Sequence, residues 1–188
     1  MNIGYIISST IAGVLFVSLI SLNMKIARNN GEQTLDAMAN AHSLSVSEYL
    51  EHDLRSIGYG VRGMHPILEA TEHSIRFLIQ IDGQTEVKEV AWEFEYDATG
   101  ADGNNAVKPL YRYQDGVAWH ASPAVTAFEL EYYDHMRQLL DPQTLDPAAI
   151  RLIRWTIVTQ TRERYFGGRY GTSVWTGEVI PHNLSGIP

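Results

Sequence analysis

Residues 3–22 read IGYIISSTIAGVLFVSLISL, and the first charged side chain of the sequence is Lys25. Roughly 20 such residues form a helix about 30 Å long, which matches the hydrocarbon core of a bilayer. The hydroxyls in this stretch are compatible with lipid because each can bond to a carbonyl one turn earlier. A buried core helix and a cleaved secretory signal are the alternatives, but a signal peptide has a basic start, which is missing before residue 3. The stretch therefore predicts a retained membrane helix.

The composition indicates one globular domain after this helix. The chain has 188 residues, so about 165 remain beyond the apolar stretch, the size of an ordinary domain. Apolar residues make up 45% of the chain, which is outside the disordered range. The formal net charge of −8 argues against nucleic acid as a partner, since phosphate binding needs concentrated Lys and Arg. The chain has no Cys, which excludes a disulfide framework, a thiolate metal site and a Cys nucleophile.

The helical pattern continues beyond the apolar stretch. Between Gly31 and Gly58 an amphipathic stripe recurs at steps of three and four residues: Leu35, Met38, His42, Val46, Tyr49, Asp53 or Leu54, and Ile57. We therefore expect one nearly continuous helix over residues 3–57, about 80 Å long and loosened at residues 29–31. Gly58-Tyr59-Gly60 is typical of a helix stop.

After residue 70 the hydrophobic period changes to two. Alternation of apolar and polar residues predicts strands over residues 75–81, 90–96, 128–132 and 153–158, with shorter strands over 110–114, 117–120 and 173–180. Strands with one buried face and one solvent-exposed face are typical of antiparallel sheets. The sequence thus predicts an α+β fold: a membrane helix over residues 1–24, its amphipathic continuation over 25–60, and an antiparallel β domain over 61–188 that packs on the upper half of the helix.

The sequence gives little support to an enzyme. It contains no Gly-x-Ser-x-Gly elbow, no His-Glu-x-x-His pair and no phosphate-binding glycine loop, so we expect no catalytic residues and no cofactor. A weak calcium candidate is the oxygen-rich loop with Asp97, Asp102, Asn104 and Asn105, although such loops are usually turns.

Two groups of side chains in the predicted strands have more than one interpretation. The outward acidic residues Glu93, Glu95, Glu129 and Glu131 fit a solvated face or a protected sheet edge. The aromatic residues fit core packing better than a sugar-binding face: Tyr111, Tyr113, Trp119, Tyr132, Tyr133 and Trp155.

Several segments, in order along the chain, resemble a type IV pilin-like protein, specifically a minor pilin or pseudopilin of the PilW and GspJ kind. The end of the predicted helix, YLEHDLRSIGYG at residues 49–60, is similar to the ending of the long helix in that group. Further similar segments are LYRY at 110–113, VTAFELEYYD at 125–134, IRLIRWTI at 150–157 and VIPHNL at 179–184. The resemblance implies a long N-terminal helix on an antiparallel sheet and assembly with other pilin-like subunits.

The start of the chain matches the family only in part. The place for prepilin processing is Gly4-Tyr5, with Gly4 before the cut and Tyr5 as the new N-terminus; retention of Met1 is the open alternative. Ser9 stands where the family has a Glu that pairs, within lipid, with the free amine of a neighbouring subunit. The resemblance implies that the assembly helix acts through Ile6, Ile7, Ser9, Ile11, Val14, Leu15, Phe16, Leu19 and Leu22.

The resemblance implies a structural subunit of a type IV pilus or a type II secretion-like filament. Its partners would be other pilin-like subunits and the cytoplasmic membrane, with the C-terminal domain outside the cytoplasm and, after assembly, in an extracellular filament. Lys25 and Arg28 after the membrane helix favour the opposite orientation weakly. The alternatives are a single-pass receptor or adhesin-like binding domain that does not polymerise, and a membrane-tethered hydrolase.

Overall fold

The computed structural model of the chain describes residues 3–80, 86–96, 106–161, 164, 168 and 170–184. One helix, α1 (Ile3–Arg55), contains 53 residues. It continues through residues 29–31, so the predicted loosening there is wrong. A single glycine such as Gly31 costs a helix only about 1 kcal/mol, which the long flanking helical segments outweigh.

The helix ends at Arg55, just before the predicted glycine pair. Gly58 and Gly60 have φ values of 76° and 70°, in the left-handed region that glycine adopts without strain. The Gly58 N–H donates to the carbonyl of Leu78 at 2.9 Å, so the turn after the helix is tied to the sheet. The predicted helix stop is confirmed.

Seven strands lie within the described residues, and they form one antiparallel sheet in the order of the chain. They are β1 (Ile67–Ala70), β2 (Ser74–Gln80), β3 (Val87–Phe94), β4 (Lys108–Gln114), β5 (Val117–Tyr133), β6 (Leu152–Gln160) and β7 (Thr172–Val179). The predicted α+β fold, a long N-terminal helix on an antiparallel sheet, is confirmed.

The strict alternations identified the central strands correctly. Side chains at the predicted inward positions of β2, β3, β5 and β6 are buried: Ile75, Phe77, Ile79, Val90, Trp92, Phe94, Phe128, Leu130, Tyr132, Ile153, Trp155 and Ile157. Tyr96 was predicted to lie inward with them, but it follows the end of β3 and is 61% exposed. The acidic residues Glu93, Glu95, Glu129 and Glu131 are exposed, as the alternation predicted.

Two strand predictions were wrong. The short strand over 117–120 and the strand over 128–132 are two parts of the 17-residue β5, which pairs with β4 over its first half and with β6 over its second. β1 was not predicted at all. The hairpin between β4 and β5 turns at Asp115 and Gly116, with φ values of 50° and 80°, the conformation of a two-residue type I′ turn.

The buried face of α1 is offset from the predicted stripe. It consists of Ala39, Ser43, Val46, Ser47, Leu50, Asp53 and Leu54. Met38 and Tyr49, which the stripe placed against the sheet, are 60% and 68% exposed. The small residues Ala39, Ser43 and Ser47 lie one position further along the chain, and they let the helix backbone approach the sheet closely.

Candidate functional site: the exposed half of the helix

The first half of α1 has no packing partner in the described chain. Its residues are exposed from Ile3 to Gly31, and the first buried residue of the helix is Ala39. The predicted assembly residues Ile6, Ile7, Ile11, Val14, Leu15, Phe16, Leu19 and Leu22 have exposed fractions between 48% and 64%. This half is long and apolar enough to cross a membrane.

Hydroxyl groups within the apolar half are satisfied by the helix itself. Ser9 Oγ donates to the carbonyl of Ile6 at 3.0 Å, and Thr10 Oγ1 donates to the same carbonyl at 2.8 Å. Such bonds remove the penalty for a hydroxyl in hydrocarbon, where no water is available as a partner. The Ser9 side chain is therefore neutral and hydrogen-bonded within its own helix.

Gly4 and Tyr5, the predicted processing site, lie in the first turn of α1. Tyr5 is 79% exposed, and a Cβ added at Gly4 would meet no atom within 4 Å. The structure thus places both residues at the exposed end of the apolar segment, and cleavage there remains a prediction.

A line of polar contacts fixes the second half of α1 to the sheet. His42 Nε2 lies 2.8 Å from Ser122 Oγ of β5, and the Ser43 hydroxyl bonds to the Thr159 hydroxyl of β6. One turn further on, the indole N–H of Trp155 donates to Ser47 Oγ at 3.1 Å. The sequence predicted His42 against the sheet but gave no sign of the serines, because exposed helix faces carry serine equally well.

A buried ion pair holds the end of α1. Asp53 Oδ2 accepts from Arg112 Nε at 2.6 Å and from the Trp92 indole N–H at 2.9 Å, and Asp53 Oδ1 accepts from Arg112 Nη2 at 3.2 Å. The Asp53 side chain is 7% exposed and that of Arg112 is 21% exposed. Because Trp92 is on β3 and Arg112 on β4, one carboxylate joins the helix to two strands. Bidentate pairs of this kind specify geometry as well as adding stability.

Two glycines allow the helix and sheet to approach each other. A Cβ on Gly177 of β7 would lie 2.2 Å from Cζ2 of Trp155, so the absence of a side chain makes room for the indole beneath the helix. A Cβ on Gly171, just before β7, would lie 3.0 Å from the carbonyl carbon of Leu35. No sequence pattern singled out Gly177. Its position directly opposite Trp155 becomes visible only when β6 and β7 are paired.

The remaining candidate residues are spread over the β domain. Tyr132 and Trp155 are core residues, whereas Trp119 is 61% exposed and Tyr111, Tyr113 and Tyr133 are partly buried. In the described part of the chain no three His, Asp or Glu side chains form a group that can hold a metal ion. The calcium candidates Asp97, Asp102, Asn104 and Asn105 lie outside the described residues.

On the outer face of the sheet, Arg154 links three strands. Its guanidinium lies 3.4 Å from carboxylate oxygens of Glu131 on β5 and Glu178 on β7. The Tyr133 hydroxyl donates to Glu131 at 2.7 Å, and this bond to a carboxylate raises the pKa of Tyr133. These contacts fix the register of β5, β6 and β7 on the face away from the helix.

No protein-family model matches the chain, and no curated protein is significantly similar to it in sequence.

Proposed function

We propose that this chain is a non-enzymatic structural subunit of a type IV pilus or type II secretion-like filament, a pilin-like protein of the minor pilin or pseudopilin class. One observation carries the proposal: a single uninterrupted helix has an apolar half exposed on every side and a second half fixed to a β-sheet. The first half needs a lipid or protein environment, and the second half transmits its position to the β domain.

Burial of the exposed half stabilises such a subunit both in the membrane and in a filament. A fully buried Leu, Ile, Val or Phe side chain contributes about 1.5–3 kcal/mol relative to water. Lipid buries these side chains before assembly, and the helices of neighbouring subunits bury them in a filament. A subunit that exchanges one environment for the other stays shielded from water throughout.

The second half of α1 holds the β domain rigidly on the helix, so the β domain is not a flexibly tethered unit. Contacts from His42 to Asp53 span 12 residues of α1, about 18 Å of helix. A neighbour that packs on the apolar half therefore sets the orientation of the β domain as well. Lateral contacts between β domains, or a role at the filament tip, then follow from helix packing.

The test is the mass of the N-terminal peptide in a sheared filament fraction from cells that express the full chain. Recovery of a peptide that begins at Met1 or Tyr5 supports a filament subunit and identifies the processing state together. If the protein stays in the membrane and no filament fraction contains it, the proposal is wrong, and the single-pass receptor or adhesin-like domain is favoured.

A matched pair of variants sharpens this test. Leu15→Gln combined with Leu19→Gln places two amides in the apolar half, whereas Met38→Gln changes an exposed residue beyond it. We expect the double variant to lose filament recovery and Met38→Gln to retain it.

Protease treatment of cells with a permeabilised outer boundary tests the proposed orientation, since only a β domain outside the cytoplasm is then cleaved.

A further inference from the structure

Among the strands that the structure describes, β7 has a neighbour on one side only, which makes it an edge strand of the sheet. It pairs with β6 along its whole length and without a register shift. The Thr161 N–H donates to the carbonyl of Gly171 at 2.9 Å, so these two residues form a hydrogen-bonded pair of the antiparallel ladder. Because hydrogen-bonded and non-hydrogen-bonded pairs alternate along such a ladder, this bond fixes the hydrogen-bond pattern of every residue of β7.

The alternation leaves one row of backbone groups directed away from β6. The odd-numbered residues of β7 bond to β6, whereas the N–H and C=O groups of its even-numbered residues point to the free side: Thr172, Val174, Thr176 and Glu178. Within the described part of the chain, no backbone or side-chain group bonds to this row. Its groups therefore need water or another strand as a partner.

The two edges of the described sheet differ in how they are protected. β1 has four residues, follows Pro66, contains a register shift and carries the exposed carboxylate of Glu69. β7 has eight residues and no proline, lysine or register shift, and residues 172–177 carry no charge. Short length, bulges, proline and charge are the features by which edge strands avoid pairing with other chains. The edge of β1 has them, and the edge of β7 is open.

Exposed apolar side chains flank the free edge on both faces of the sheet. Val174 on the outer face is 62% exposed. Trp175 lies opposite the buried Ile157, so it faces the helix, yet it is 40% exposed. The helix contacts β5 through His42 and β6 through the next residue, so the residue after that, the exposed Leu44, lies on the flank toward β7. A strand added at this edge would lie beside Val174 and Trp175, below this flank of the helix.

From this arrangement we infer that the free edge of β7 accepts an extended segment of another protein, which pairs with β7 in the antiparallel direction as an additional strand of the sheet. The backbone groups of Val174 and Thr176 bond to this segment, because only an extended backbone presents donors and acceptors with the matching spacing. Apolar or β-branched side chains of the segment cover Val174 and Trp175. The partner is thus a protein with an exposed, uncharged, β-branched strand or tail.

A second copy of the chain does not fit as the occupant of this edge. β6 runs toward the apolar half of α1, since Trp155 contacts Ser47 and Thr159 contacts Ser43, so β7 runs in the same direction as α1. Antiparallel pairing of two β7 strands would therefore make the two helices antiparallel, whereas helices anchored in one membrane by the same half run in the same direction. The exclusion of a second copy rests on the membrane anchoring in the proposed function, and the free edge does not.

Hydrogen exchange of the full chain in lipid nanodiscs, with one chain per disc and read by NMR, tests the edge. The amides of Val174 and Thr176 should exchange quickly, whereas the amide of Trp175, which bonds to β6, should exchange slowly. The probe is the synthetic peptide Lys-Thr-Val-Thr-Val-Thr-Lys. In excess peptide we expect exchange at Val174 and Thr176 to slow by at least about tenfold, with no change at Trp175.

A proline variant tests the assigned backbone groups. Val174→Pro removes an edge N–H without removing a bond to β6, and proline is tolerated at such positions of edge strands. We expect this variant to stay folded, with slow exchange at Trp175, and to lose the effect of the peptide at Thr176. Val174→Thr keeps the N–H and the branched side chain, so it is the matched control and should respond as the parent. The peptide with its central threonine replaced by proline makes the same test without changing the chain, and it should not slow exchange.

Slow exchange at Val174 and Thr176 in the free chain, equal effects of the two peptides, or no effect of either peptide overturns the inference. Slow exchange that appears only with two chains per disc assigns a second copy to the edge and overturns it as well. If the chain is not retained in discs, the proposed anchoring is refuted, and the same exchange measurement in detergent decides on the edge of β7 alone.

Discussion

Asp53 near the end of α1 and Arg112 on β4 form a bidentate ion pair at 2.6 and 3.2 Å, with the indole of Trp92 as a third partner. The pair joins residues 59 positions apart in the chain. It joins the end of α1 to β3 and β4, so it helps to hold the helix on the sheet.

Removing one member of this pair should destabilise the domain strongly. Arg112→Met leaves the Asp53 carboxylate buried without its cation, and we expect a loss of about 3 kcal/mol in the free energy of unfolding, as for other broken buried pairs. Urea unfolding of the detergent-solubilised full chain, followed by tryptophan fluorescence, measures this loss.

The double variant distinguishes the ion pair from simple packing. Asp53→Leu combined with Arg112→Met removes both charges and should recover much of the stability lost in either single variant. Additive losses in the double-mutant cycle would show that the two side chains act independently.

Gly177→Ala should be among the most damaging small substitutions in the sheet. The new methyl group would overlap the Trp155 ring, which must then leave its position and its bond to Ser47. Overpacking of this kind costs roughly 1–3 kcal/mol, and loss of the hydrogen bond adds about 1 kcal/mol. Thermal unfolding measures the effect.

Gly31→Ala is the matched control for this glycine. A Cβ there meets no atom within 4 Å, and the residue lies inside the helix. Alanine should therefore stabilise the helix, by up to about 1 kcal/mol. A stabilising Gly177→Ala, or a damaging Gly31→Ala, would contradict the observed packing.

Much of the fold could be predicted because its signals are local. The apolar run and the lack of proline before residue 66 predict a long helix, and strict alternation as in Val90, Trp92 and Phe94 predicts central strands. β5 was divided because Pro123 and its small neighbours interrupt the alternation. β1 was missed because two of its four residues, Leu68 and Glu69, point to solvent.

The contacts that join helix to sheet were harder to predict, since they depend on register. Ser43 and Ser47 are short polar residues that fit an exposed face as well as a buried one, and only paired strands bring Thr159 and Trp155 opposite them. The exposed half of α1, in contrast, was predictable residue by residue from hydropathy. Hydropathy therefore identified the apolar half of α1 in the sequence, whereas the contacts between helix and sheet became visible only in the structure.

The β4–β5 hairpin should lose part of its stabilisation in acid. Lys88 Nζ lies 2.8 Å from Asp115 Oδ2 at the turn, and hydrogen bonding to this ammonium holds the pKa of the Asp115 carboxyl below its usual range. Because the pKa is lower in the folded state, the stabilisation is present above the unfolded pKa of about 3.9 and is lost as the pH falls through the folded value.

Asp115→Asn removes this pH dependence while keeping a residue that tolerates the φ of 50° at this position. We expect the difference in unfolding midpoint between parent and variant to shrink below about pH 4. NMR titration of the Asp115 carboxyl gives its folded pKa directly. An unshifted or raised value would contradict the ion pair.

Ser9 tests the register of the apolar half in a filament. Ser9→Glu introduces a carboxylate within the membrane segment, at a cost of roughly 2.5–3.5 kcal/mol at the centre of a bilayer and less toward its edge, unless a partner neutralises it. If Ser9 occupies the position where the family has its Glu, a neighbour's free amine can pair with the new carboxylate, and incorporation into filaments should change relative to the amount in the membrane.

Ser18→Glu, two to three turns further along the same helix, is the control. It introduces the same carboxylate away from the pairing position and should only lower the amount of protein in the membrane. The ratio of filament-bound to membrane-bound protein, measured by immunoblot of sheared and membrane fractions, separates the two effects, and equal ratios for Ser9→Glu and Ser18→Glu would contradict the register.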